Sequence, residues 1–172
     1  MNAIIENLLT RRSTRAFLQK EIPDNELNEI LQAAIYAPSG MGKQTWKFTV
    51  LCNQEKIQQL AELIGRKLGR KGYDMYRPQV LIIPSNQKEN PHGMEDNACA
   101  LENIFLAAHS VGIGSVWINQ LRTLCDDPEV RALLDEFEIP SDHVVYGMAA
   151  LGYPADAPKK EIHKIGEIRI IK

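Results

Sequence analysis

The chain has 172 residues, 44% apolar and 24% charged, with 20 Lys plus Arg against 22 Asp plus Glu and a net charge of −2. This length and balance predict a single domain over residues 1–172 with enough apolar content for its own core. They argue against a dedicated nucleic-acid binder, which needs a basic excess or a long basic face. Cys52, Cys99 and Cys125 are odd in number and nowhere spaced as CxxC. Neither a disulfide framework nor a thiolate zinc site is therefore expected, and a reducing cytoplasm is.

Residues 1–10 carry Glu6 and no basic region ahead of the apolar stretch, a poor match to a secretory leader. Apolar runs such as 80–84 fall far short of the ~20 residues that cross a bilayer. The first predicted helix spans 24–37, because Leu27, Ile30, Leu31, Ala34 and Ile35 recur on one helical face and Pro38 stops it. A strand is expected at 47–52 and a second helix over 54–68, with Ile57, Leu60, Ala61 and Ile64 on one face. A strand at 79–83 leads to a third helix over 95–111. That helix is apolar nearly all round, so it is central to the domain or at a subunit interface. Strands at 115–118 and 144–151 flank a fourth helix over 127–137, and 167–171 reads as a last strand or extended arm. The elements do not follow a clean βαβ rhythm, which favours a mixed α+β sheet over a doubly wound one.

Arg11, Arg12, Ser13, Thr14 and Arg15 place three guanidiniums beside two hydroxyls. Such a group suits a phosphate, through bidentate charge-assisted hydrogen bonds, or is a solvated basic turn. The loop 37–46 imitates a phosphate-binding P-loop through Gly42 and Lys43, but Ala37 stands at the first glycine position and Gln44 follows the lysine. It also leaves a helix and enters a strand, the reverse of a P-loop. What remains is a glycine-rich loop that lets a planar polar ligand approach its backbone, or a helix stop with Trp46 in the core. Gly112-Ile113-Gly114 lacks a third glycine and is no dinucleotide fingerprint. His92, His109, His143 and His163 show no ligand spacing, and His109 reads first as a satisfied core histidine. The basic run Arg66, Lys67, Arg70, Lys71 and Arg77 reads as a solvated helix end.

Taken in order, RRSTRAF at 11–17, APSGMGKQTWKF at 37–48, ALENIFLAAHSVGIGSVWINQ at 100–120 and VVYGMAALGYPADAPKK at 144–160 resemble the nitroreductase family of flavin enzymes. The resemblance implies an α+β fold with a mixed central sheet flanked by helices. It also implies an intertwined homodimer with C-terminal strand exchange at 167–171 and FMN at the subunit interface. It sends Arg11, Ser13 and Arg15, with Arg12 nearby, to the ribityl phosphate and flavin edge. Pro38, Ser39, Gly40 and Gln44 would approach the flavin ring from the other subunit. Asn119 and Gln120 fall near the reactive N5 edge, and Lys159 and Lys160 complete the phosphate site. Gly42 stands where the family usually has Asn, Thr45 where it usually has Pro, and Lys159-Lys160-Glu161 where an arginine-containing tail is usual.

The activity so implied is hydride transfer from NADH or NADPH through FMN to a nitroaromatic, a quinone or another flat acceptor, without nucleic-acid or membrane partners. The chemistry then belongs to the cofactor, and the protein supplies binding, orientation and electrostatics. Two other readings stay open: a flavin store or electron relay without nicotinamide activity, and a structural dimer without cofactor.

Overall fold

A computed structural model describes residues 2–156 and 164–172. The chain opens with helix α1 (Ala3–Thr10), capped by Asn2, whose side chain accepts from the Ile4 N–H at 2.8 Å. Helix α2 (Asp24–Ile35) follows, ending two residues before the 37 expected from the sequence. Strand β1 (Trp46–Leu51), helix α3 (Gln54–Lys67) and strand β2 (Val80–Gln87) come next. Helix α4 (Gly93–Ser110) leads into strand β3 (Gly114–Ile118), helix α5 (Pro128–Glu136), strand β4 (His143–Val144) and strand β5 (Met148–Gly152).

The sheet runs β1-β2-β5-β3, with β4 on β2. Every ladder between these strands is antiparallel. The parallel component expected of a mixed sheet is confined, among the described residues, to an isolated bridge between Ser13 and Ser115. The strand expected over 144–151 is broken at Val145, whose N–H donates to Cys125 Sγ at 3.3 Å. That bond takes the backbone out of the ladder, so β4 and β5 meet β2 separately.

Both faces of the sheet are covered, which explains why β2 opens with the apolar run 80–84 rather than an alternation. Leu81 and Ile83 point into a core with Ile57, Leu60 and Ile64 of α3 and Val130 and Leu134 of α5. Val80 and Ile82 point the other way, into Ile30 and Ala34 of α2 and Leu101, Ile104 and Phe105 of α4. Burying each of the Val, Leu, Ile and Phe side chains among these contributes roughly 1.5–3 kcal/mol.

Two apolar surfaces have no cover among the described residues. On α1, Ile4, Ile5, Leu8 and Leu9 are all exposed, although Asn7 Nδ2 donates to the Leu106 carbonyl of α4 at 2.9 Å. Cys99, Leu106 and Ala107 on α4 are only half-buried. Residues 164–172 form no strand with the other described residues, and Ile165, Ile168, Ile170 and Ile171 are exposed. No helix among the described residues is long and apolar enough to cross a membrane.

Candidate functional site

The segment after α1 is held in extended form against the β3–β5 end of the sheet. The Thr14 N–H donates to the Ser115 carbonyl at 2.9 Å, the Leu18 N–H to Tyr153 at 2.8 Å, and the Ala155 N–H to Ala16 at 2.9 Å. This close approach requires glycine at 114, where a Cβ would sit 2.5 Å from Thr14 Oγ1. The segment and the sheet edge enclose a cleft of about 510 Å3, lined by Arg11, Arg12, Ser13, Arg15, His109 and Ser115 among others.

Arg12 Nη1 donates to the carbonyls of Leu9 and Arg11 at 2.9 and 3.0 Å, closing the end of α1. The Arg11 guanidinium lies 5.8 Å from the Phe105 ring centroid. None of the ion pairs among the described residues involves Arg11, Arg12 or Arg15, whereas Arg66, Lys67, Arg77, Lys88 and Arg131 all have carboxylate partners. The basic run at 66–77 is thus partly neutralised at the surface, and the arginines of the cleft are not. Ser115 Oγ is buried with no hydrogen-bond partner among the described residues. Three cations with no ion-pair partner among the described residues and a hydroxyl at Ser13 fit a phosphate monoester, although Asp156 also lines the cleft.

The loop after α2 forms a second, separate surface. Pro38, Ser39, Gly40 and Gln44 do not line the cleft. Ser39 Oγ accepts from the Gln44 N–H at 2.9 Å, and Met41 and Gln44 adopt left-handed backbone with φ of 55° and 49°. Such strain in non-glycine residues persists only where surrounding contacts over-determine it. A buried polar network supplies those contacts. Asp96 accepts from the Gly40 N–H at 2.7 Å and from Asn90 Nδ2 at 3.1 Å. Asn90 Nδ2 also donates to Thr45 Oγ1 at 2.9 Å, and Thr45 Oγ1 donates to Asn86 Oδ1 at 2.6 Å. Thr45 makes two bonds that proline could not, and Gly42 has a φ of 64°, which asparagine tolerates. Both departures from the usual family residues therefore fit the loop.

Asn119 and Gln120 lie just beyond the other end of β3 from Gly114, outside the cleft, with Gln120 Oε1 accepting from the Asn119 N–H at 3.1 Å. Lys159 and Lys160 lie outside the described residues. The structure therefore brings Arg11, Arg12, Ser13 and Arg15 together and keeps the loop residues and Asn119–Gln120 apart from them. His109, expected in the core, is half-buried, lines the cleft, and meets Thr10 Oγ1 through Nε2 at 2.9 Å. Its placement in the last turn of α4, just ahead of the Gly112 stop, was the available sequence signal. Asn86, Asn90 and Asp96 had no motif of their own.

The sequence profile of the nitroreductase family matches residues 8–79 and 67–153. A putative NADH dehydrogenase/NAD(P)H nitroreductase from Archaeoglobus fulgidus is 32% identical over 158 residues, 91% of this chain and 88% of the relative. An FMN reductase (NADPH) from Bacillus subtilis is 27% identical, covering 94% of this chain and 70% of that protein. Among solved structures, a Bacteroides fragilis nitroreductase with bound FMN superposes with a TM-score of 0.94 and 44% identity, over 100% of both chains. The ordered motifs, the antiparallel sheet with helices on both faces and these likenesses agree: the chain belongs to the nitroreductase family.

Proposed function

We propose that this chain is an FMN-dependent oxidoreductase that takes a hydride from NADH or NADPH and passes the reducing equivalents to a nitroaromatic, a quinone or a similar flat acceptor. The observation that carries this reading is the cleft holding Arg11, Arg12, Ser13 and Arg15, whose arginines have no ion-pair partner among the described residues. Relatives named for FMN and NAD(P)H support it.

FMN, when bound, supplies the ring that accepts and then gives up a hydride. The protein's own part begins with Arg11, Arg12 and Ser13, which hold the phosphate. Arg15 supplies positive charge against the negative charge of the reduced ring. Lys159 and Lys160 complete the phosphate site in this reading. Pro38, Ser39, Gly40 and Gln44 serve the second protomer's site in a homodimer, because they sit away from their own chain's cleft. Asn119 and Gln120 offer polar groups to the reacting edge. The exposed residues of α1 and of 164–172 form the dimer contact, and the protein works in the cytoplasm as one domain per protomer.

Steady-state kinetics test the reading. With both nicotinamide and quinone varied, parallel double-reciprocal lines show that the reductant leaves before the acceptor binds. Intersecting lines contradict that order, and no turnover with any flat acceptor contradicts the activity.

A second reading, a flavin store or relay without nicotinamide activity, is favoured by the short connection between α3 and β2. Residues 68–79 contain no helix or strand, and Met75, Tyr76 and Arg77 all have left-handed φ there. Tight flavin binding without reduction by NADH or NADPH supports that alternative.

A further inference from the structure

His109 stands in the last turn of α4 and lines the cleft with Arg11, Arg12, Ser13 and Arg15. Its hydrogen bonding fixes its tautomer. The hydroxyl proton of Thr10 is committed to the Glu6 carbonyl at 2.7 Å, so Thr10 Oγ1 can only accept from His109 Nε2 at 2.9 Å. Neutral His109 therefore carries its proton on Nε2, which leaves Nδ1 as its basic atom. No hydrogen bond among the described residues reaches Nδ1.

The charges around this ring come from three elements. Arg11, Arg12 and Arg15 belong to the segment after α1, Glu6 to α1 itself, and Asp156 to the segment after β5. Burial first, then Arg11 and Arg12, hold His109 below its usual value of 6.5. The carbonyl end of α4 pulls in the opposite direction, since a helix C-terminus favours a cation. His109 is thus a base kept neutral mainly by its removal from water and by two cations, and an anion in the cleft reverses the second of these causes.

We propose that His109 is a conditional fourth cation of the cleft, neutral when the cleft is empty and protonated at Nδ1 when a phosphate monoester dianion enters. Binding then takes up a proton from solvent, and no bond to phosphorus forms or breaks. The ligand is the 5′-phosphate of the flavin nucleotide, so the inference rests on the proposed FMN site. It adds a proton-linked residue to that site. The sign follows from the cycle: His109 is protonated more readily in the complex than in the free protein. Its contribution to affinity is full below the free-protein value and is lost as pH rises through the higher value of the complex.

The test compares FMN with riboflavin, which lacks the phosphate, on the unsubstituted protein and on His109→Gln. Flavin binding is followed by fluorescence from pH 5.5 to 8.5. The phosphate's own titration is common to both proteins, so the ratio of their FMN affinities isolates His109. That ratio is expected to be about tenfold at the acid end, the value of one charge-assisted hydrogen bond, and to fall towards one at the alkaline end. The riboflavin ratio stays flat. In the unsubstituted protein, the His109 imidazole followed by NMR titrates at higher pH with FMN than with riboflavin, a readout that does not depend on the variant folding. FMN binding with parallel pH curves, or an unmoved imidazole, overturns the role of His109 and leaves the flavin reading intact. A protein that binds neither flavin overturns both.

Discussion

The Gly40 N–H donates to Asp96 Oδ1 at 2.7 Å, tying the turn of the glycine-rich loop to the first turn of α4. The bond sets where Ser39 and Gln44 stand, because the same carboxylate reaches through Asn90 to Thr45 at the loop's far end. A Cβ at Gly40 would meet the His92 ring at 2.6 Å, so the loop cannot approach α4 this closely with another residue there.

Removing that carboxylate by Asp96→Ala leaves the Gly40 N–H without its acceptor and breaks the link to Asn90. The expected loss is about 1–3 kcal/mol of unfolding free energy, measured by denaturant titration. FMN affinity is expected to fall as well, since the loop serves the partner's site in the proposed dimer. Unchanged stability would show that the network does not hold the loop.

Arg11→Gln and Arg15→Gln each remove a cation that has no carboxylate partner among the described residues. Arg11→Gln, at the phosphate, is expected to weaken FMN binding about ten- to hundredfold and to leave riboflavin binding within a fewfold. Arg15→Gln, beside the ring, is expected to weaken both flavins alike. Titration of both flavins checks this. Equal losses for the two ligands with Arg11→Gln would place Arg11 away from the phosphate, and a loss confined to FMN with Arg15→Gln would move Arg15 from the ring to the phosphate.

Gly114→Ala puts a methyl 2.5 Å from Thr14 Oγ1. The strain is expected to cost about 1–3 kcal/mol and to displace the segment that carries Arg11 to Arg15, lowering both melting temperature and FMN affinity. Adding Thr14→Gly removes the side chain in the way and should recover part of the loss.

Stability is expected to fall as pH drops. His143 is buried beside Ser85, with Nδ1 3.0 Å from the Ser85 hydroxyl, and burial holds it below its usual 6.5. Its folded value is therefore lower than its unfolded one. The stabilisation is complete above the unfolded value and is lost progressively as pH falls below 6.5 and through the folded value. Unfolding titrations between pH 5 and 8 check this, and His143→Asn is expected to flatten the slope over that range. His109 shifts in the same direction and contributes with the same sign.

Much of the fold was legible because α2 and α3 follow the 3.6-residue period and β2 begins with the apolar run 80–84. α1 was not recognised as a helix, since its repeat of Ile4, Ile5, Leu8 and Leu9 points to no buried face within the chain. The break between β4 and β5 was also invisible, because it depends on a thiol, Cys125, supplied from a distant part of the sequence. In the candidate site the arginines were readable as a local cluster. Asn86, Asn90 and Asp96 were not, because their role comes from meeting Gly40 and Thr45 across the fold.

The exposed isoleucines of 164–172 and the uncovered face of α1 lead to a further expectation. Light scattering should give the mass of two chains, and deleting 164–172 should shift the protein towards monomer and release flavin. A monomeric full-length chain that binds FMN tightly would contradict the shared site.

The central claim is that this cleft holds FMN for hydride transfer from a nicotinamide. The direct measurement is the visible spectrum of FMN-reconstituted protein under anaerobic conditions before and after NADH or NADPH is added. The account predicts loss of the oxidised flavin absorbance with at least one nicotinamide, and its return when a quinone is added. Bound flavin that keeps its oxidised spectrum with both nicotinamides would contradict it.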